Sequence, residues 1–138
     1  MRMSQALGNV LHNALQHTEA DGHVTVAARL GCAATKTGKI AVITVTDNGV
    51  GIDSADLPHI FERFYRTDHS RSRRTGGRGL GLAIARTIIE AHNGTIAVAS
   101  AGLGQGTTVR FELPLLPTIQ WNFMLNKSFM ITLRRRPG

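Results

Sequence analysis

The chain has 138 residues, 42% of them apolar, and a net charge of +7. That is the make-up of one ordinary globular domain, long enough to bury a real core. No apolar run reaches the roughly 20 residues of a membrane span, Met1 is not followed by a signal-peptide pattern, and the single Cys32 can build neither an internal disulfide nor a cysteine-based metal site.

Residues 4–18 carry Leu7, Val10, Leu11, Ala14 and Leu15 at helical spacing, which predicts an amphipathic helix. Asn9, Asn13 and Gln16 fall three and four residues apart on the other face. Asparagine is a mediocre helix former, so this pair needs a reason. A solvated face is the simpler account; the sharper one is a side-chain carbonyl held towards a metal ion or phosphates. Residues 19–22 read as a polar turn, and Val24, Val26, Ala28 and Leu30 alternate as a half-buried strand. A glycine-bounded loop over 31–38 then leads to the apolar strand 39–46, most simply as a hairpin.

That strand ends in Asp47-Asn48-Gly49-Val50-Gly51-Ile52. Glycines one residue apart mark either a surface turn or a close approach to something bulky. A partly buried carboxylate before them accepts hydrogen bonds only, and it suits a donor such as the exocyclic amine of adenine. Residues 54–64 look like a helix capped by Ser54 or Asp56, with Phe61, Phe64 and Tyr65 as an aromatic cluster. Residues 66–78 lack apolar periodicity and read as a loop holding Arg71, Arg73, Arg74 and Arg78. Such a cluster suits nucleic acid or a small polyphosphate, but the sparse aromatics do not interleave with it as a strand-stacking platform requires.

The loop delivers Gly76-Gly77-Arg78-Gly79-Leu80-Gly81 into an apolar helix that Asn93-Gly94 stops. A glycine-rich turn opening a helix offers unpaired N–H groups and the positive dipole end to an anion. It is neither a Walker loop nor a Rossmann fingerprint. A final hairpin runs from Thr95 through Gly102, Gly104 and Gly106 to a strand with alternating Val109, Phe111 and Leu113. Residues 118–138 hold Lys127, Arg134, Arg135 and Arg136 with no acid, four of the seven net positive charges, among scattered apolar residues. Three readings stand for this tail: an extra strand or helix on the sheet, a membrane- or partner-binding segment, or a disordered extension.

Together these stretches carry a resemblance. Residues 9–18 look like the asparagine box of the sensor histidine kinases, and Asp47-x-Gly49-x-Gly51 resembles their first glycine box. Phe61-Glu-Arg-Phe-Tyr-Arg66 is similar to their phenylalanine box, Gly77-x-Gly79-Leu-Gly81-Leu to the second glycine box, and Gly106-Thr-Thr-Val to the last glycine and threonine element. Five elements in order are a specific match. The resemblance, covering about residues 4–114, implies the ATP-binding catalytic domain of a histidine kinase, in the wider superfamily of gyrase-type ATPases. The implied fold is an α+β two-layer sandwich, a mixed and mainly antiparallel sheet packed on three helices. The implied domain occupies residues 1–117, with the tail outside it.

The resemblance also implies roles. Asn13 would hold Mg²⁺ through its amide oxygen, with Asn9 and Gln16 close to the phosphates and His17 near the nucleotide. Asp47 would accept from the adenine amine, with Gly49, Gly51 and Ile52 against the base and Thr108 at the adenine end. Tyr65 and Arg66 would open a lid over ATP, with Asn9 and Arg66 as the catalytic positions. Arg78, Gly79, Leu80, Gly81 and Leu82 would hold phosphates at the helix start. The family's leading strand, its dimerising helices and its phosphoacceptor histidine are expected outside this chain, since no histidine here sits in the acceptor's His-Glu/Asp-x-x-x-Pro setting. The expected function is to donate the γ-phosphate of ATP to a histidine elsewhere, with a response regulator downstream and no nucleic acid. The alternative is a module that binds ATP and docks on a partner without transfer; serine-kinase anti-sigma proteins are a further relative, though they generally lack the phenylalanine box. A cytoplasmic place of action follows from ATP, with membrane contact only through the tail or a membrane-anchored parent protein.

Overall fold

The computed structural model describes residues 2–32, 39–63, 65, 81–114 and 129–135. Two α-helices, α1 (Arg2–Gln16) and α2 (Gly81–Ala91), lie over a five-stranded sheet. The strands are β1 (His23–Cys32), β2 (Lys39–Asp47), β3 (Thr95–Ala99), β4 (Thr107–Pro114) and β5 (Phe129–Arg134), in the spatial order β3-β4-β2-β1-β5. The α+β sandwich expected from the sequence is present. Among the described residues every strand pairing is antiparallel, so the sheet there is not mixed.

The core lies between the helices and one sheet face. Ala6, Val10 and Ala14 of α1 recur every fourth residue and are buried against Leu82, Ala85, Ile88 and Ile89 of α2, with Val24, Val45, Val109 and Phe111 from the sheet below. Leu7, Leu11 and Leu15 flank this line and are only partly buried. Small residues on the buried line let α1 lie close, which turns the helix relative to the expected stripe. Asn9 and Asn13 are consequently half-buried beside the core rather than opposite it. On the far side of the sheet a row of threonines crosses four strands, Thr132, Thr25, Thr46 and Thr108 in register. Threonine suits such a pleated, solvent-facing surface.

The expected stop at Asn93-Gly94 is present in detail. Asn93 adopts φ 61°, its N–H reaches Glu90 O at 3.0 Å, and the Gly94 N–H reaches Ile89 O at 2.9 Å, so the last carbonyls of α2 are satisfied. The segment expected as a helix over 54–64 differs. Its described residues, 54–63, form turns and a 3-10 helix at Leu57–His59, with Pro58 in its first turn. Asp53 caps a first turn, its Oδ1 taking the Ala55 N–H and its carbonyl the Asp56 and Leu57 N–H groups, but Pro58 lacks the N–H that would continue the ladder. Phe61 is half-buried against the core, as expected, and carries the Arg86 guanidinium 5.3 Å above its ring.

The tail supplies an edge strand. β5 pairs with β1 from His23↔Arg134 to Ala28↔Phe129, which selects the extra-strand reading for these residues. Arg135 then ties β5 to α1: its Nη1 donates to Leu15 O at 3.0 Å and to Thr18 O. A cation at the carbonyl end of a helix meets both the unpaired acceptors and the negative dipole end.

Candidate nucleotide site

β2 runs out of the sheet at Asp47, whose side chain is only 7% exposed. The Gly49 N–H donates to its Oδ1 at 2.9 Å, and the Thr107 N–H also donates to the carboxylate. Burial pushes the Asp47 carboxyl above the ordinary value of 3.8, and these two N–H groups pull it partly back. An acceptor held by backbone donors in a poorly hydrated place is a strong recognition element for a neutral donor on a ligand.

The loop after Asp47 is clasped from two sides. On one side the Val50 N–H donates to His17 O at 3.0 Å, just past the end of α1. On the other, the β3–β4 turn reaches in: Gly104 N–H to Val50 O at 2.7 Å and Gly106 N–H to Gly49 O at 3.2 Å. The contact is backbone on backbone. Gly51 (φ 71°) and Gly106 (φ 74°) have left-handed conformations, and a Cβ on them would run into Gly102 O and Asp47 O respectively. The paired glycines thus serve close approach rather than a free surface turn. Ile52 is buried, and its N–H donates to Ser100 Oγ at 3.0 Å.

α1 brings the polar stripe to the same end. Asn9 Nδ2 donates to Gly81 O at 3.4 Å, which joins the asparagine stripe to the first residue of α2. Asn13 lies one turn on, and its backbone carbonyl accepts the His17 N–H at 3.2 Å and the His17 Nδ1–H at 2.8 Å. His17 therefore holds its ring against its own helix, while Gln16 is half-buried beside it. Gly81 is the first described residue of α2, and the N–H groups of an α-helix's first turn have no partner within the helix. Leu82, by contrast, points into the core. Asn9, Asn13, Asp47, Gly49, Gly51, Ile52 and Gly81 are thus gathered around α1, the β2 end and the α2 start.

Tyr65 lies where the lid was expected to begin. Its hydroxyl donates to Asp56 Oδ1 and its ring stacks on His59 at 5.2 Å, so it packs on the turn before it. Arg66, Arg78, Gly79 and Leu80 lie outside the described residues. Thr108 is a correction. It stands opposite Thr46 and bonds that hydroxyl at 3.3 Å on the far face of the sheet, away from Asp47. The residue opposite Asp47 is Thr107. The alternation of Val109 and Phe111 already assigned odd positions to the core face, a signal that would have selected Thr107. Ser100 was missed because nothing local marks a serine in a glycine-rich turn. Among the described residues no group of three or more His, Cys, Asp and Glu could hold a metal ion. A hard cation here would need oxygen from Asn13 together with oxygens of its own ligand.

Residues 1–117 match the family described as histidine kinase-, DNA gyrase B- and HSP90-like ATPases. Over 113 residues the chain is 41% identical to the sensor histidine kinase WalK of Bacillus subtilis (strain 168), covering 82% of this chain and 18% of WalK. The mycobacterial sensor histidine kinase MprB superposes with a TM-score of 0.64 at 33% identity, over 80% of this chain and 70% of that one. Full-length ShkA, solved in complex with AMPPNP, gives 0.62 at 34% identity, over 82% of this chain and 21% of ShkA. The chain spans about a fifth of the length of WalK.

Proposed function

The chain belongs to the histidine kinase-, DNA gyrase B- and HSP90-like ATPase family, and from that premise we propose that it is the ATP-binding catalytic domain of a two-component sensor histidine kinase. It donates the γ-phosphate of ATP to a histidine on a dimerisation domain outside this chain, and a response regulator is the downstream partner. The observation that carries the reading is the buried Asp47 carboxylate at the mouth of a loop gripped by α1 and the β3–β4 turn. In this reading Asp47 accepts from the adenine amine, and Gly49, Gly51 and Ile52 lie along the base. The relative ShkA was solved with AMPPNP, an adenine nucleotide.

The half-buried stripe of Asn9, Asn13 and Gln16 leads from Asp47's end of α1 towards Gly81, where the N–H groups of a helix's first turn would meet a triphosphate. Asn13 would hold Mg²⁺ through its amide oxygen, the donor type a hard cation prefers, and the ion would supply positive charge beside the phosphates. Gly79, Leu80, Leu82 and Arg78 then act near the phosphates through the backbone or a guanidinium, and Arg66 neutralises charge on the terminal phosphate. The bond from phosphorus to the β–γ bridging oxygen breaks, a phosphorus–nitrogen bond forms on the acceptor imidazole, and ADP leaves. Positioning and charge neutralisation carry most of such a reaction. No helix among the described residues is long and apolar enough to cross a membrane, and a cytoplasmic place of action follows from the ATP supply.

The test is to incubate the chain with γ-labelled ATP, Mg²⁺ and a separate dimerisation domain carrying a phosphoacceptor histidine. Acid-labile label on that histidine is the expected result. Nucleotide binding without transfer would instead leave a docking module, and absence of both would overturn the reading.

A further inference from the structure

We propose that Ser100 is a positioning residue for purine recognition, tying the far end of the Asp47–Ile52 loop to the β3–β4 turn through one hydroxyl. The proposal rests on the nucleotide-binding reading above and concerns the same site. A serine hydroxyl has one proton to give and two lone pairs to offer. At Ser100 all of this capacity goes to backbone. The Oγ–H donates to Gly106 O at 2.7 Å, with Gly102 O at 3.3 Å, while Oγ accepts the Ile52 N–H at 3.0 Å and the Gly102 N–H at 3.3 Å. The partners belong to two segments far apart in sequence, the β3–β4 turn and the end of the nucleotide loop.

Each bond leads to the acid that reads the base. Through Gly106 the hydroxyl fixes the residue before Thr107, whose N–H donates to the Asp47 carboxylate, while the Gly106 N–H itself holds Gly49 O. Through Ile52 it fixes the far end of the loop, next to Gly51, which lies against Gly102 O. Ser100 touches no part of Asp47. It sets the distance between the carboxylate and the stretch of backbone along which a base would lie. With alanine in its place, the Ile52 N–H and Gly106 O lose a shared partner, and the loop is freed to shift relative to Asp47. Adenine and guanine differ at the edge that an acceptor carboxylate reads, so a looser loop blurs that distinction as well as weakening binding.

The experiment compares the unaltered chain, Ser100→Ala and Ser100→Thr by displacement of a fluorescent ATP analogue with ATP and with GTP, alongside thermal melting. Ser100→Ala is expected to lose ATP affinity about tenfold, with a smaller loss for GTP, so the preference for ATP narrows. Ser100→Thr keeps the hydroxyl and is expected to restore most of both. Unchanged ATP affinity in Ser100→Ala, or parallel losses for ATP and GTP that follow a lowered melting temperature, would overturn the positioning role. If the unaltered chain does not bind ATP, it is the functional reading that fails, and the proposal with it.

Discussion

Replacing Asp47 by asparagine separates recognition from stability, because the side chain keeps its shape while its charge and one acceptor are lost. In the structure the carboxylate is 7% exposed and takes N–H groups from Gly49 and Thr107. An amide at this position offers only one oxygen. Its NH₂ must then face either a backbone N–H or the donor amine of the bound base. Losing a hydrogen bond to a charged acceptor costs about 1.5–3 kcal/mol, roughly ten- to a hundredfold in ATP affinity. Folding should respond in the other direction. The folded carboxyl sits above 3.8 because burial disfavours its charged form. Asp47→Asn is therefore expected to melt at the same temperature or higher at pH 7.

The pH dependence follows the same sign. A carboxyl raised by folding contributes stability that is fully present below its unfolded value and lost as pH rises through its folded value. On acidification through that window the wild type gains relative to Asp47→Asn, while its ATP binding weakens because the protonated acid is a poorer acceptor. Calorimetric titration with ATP and differential scanning calorimetry, both as a function of pH, read the two quantities. Wild-type ATP affinity in Asp47→Asn, or a loss of binding explained by unfolding, would refute this reasoning.

Gly106→Ala forces a side chain onto φ 74° and onto Asp47 O, so a cost of about 1–3 kcal/mol and a loss of ATP binding are expected, measured by urea unfolding and titration. Arg135→Ala removes the guanidinium from the carbonyls at the end of α1 and should destabilise the fold by about 1–2 kcal/mol, with faster amide exchange in that last turn. Wild-type melting and exchange would mean that the β5 extension does not anchor α1. Asn13→Ala should abolish most of the Mg²⁺ dependence of ATP binding, read by titration with and without the metal; an unchanged metal effect would remove Asn13 from the site.

Much of this molecule is readable from short stretches. The apolar run into Asp47 is a strand, and Asn93-Gly94 closes α2 with the bonds its sequence suggests. The asparagine spacing put Asn9, Asn13 and Gln16 on one stripe, and α1 presents them that way. Other features were less legible. The apolar stripe expected on α1 includes Val10 and Ala14, which are buried, but the most buried line also takes in Ala6 while Leu7, Leu11 and Leu15 are only partly buried, because helix approach depends on what packs against α1. The stretch from residue 54 carried aromatics and a helix start, yet its described residues, to 63, hold only one 3-10 turn, where Pro58 has no N–H to continue the ladder.

What the chain determined by itself is chemistry and local periodicity: an acid before paired glycines, amides at helical spacing, an arginine-rich stretch of sequence ahead of an apolar helix. These are set by residues within a few positions of one another, where backbone sterics and side-chain bonding act directly. Closure was decided only in three dimensions. That Thr107 rather than Thr108 faces Asp47, that Ser100 reaches Ile52 across 48 positions, and that Arg135 returns to the end of α1 all depend on strand register and on which segments become neighbours. Those pairings are long-range hydrogen bonds whose partners no local pattern names, because their geometry exists only once the sheet has formed and the core has brought the helices down on it.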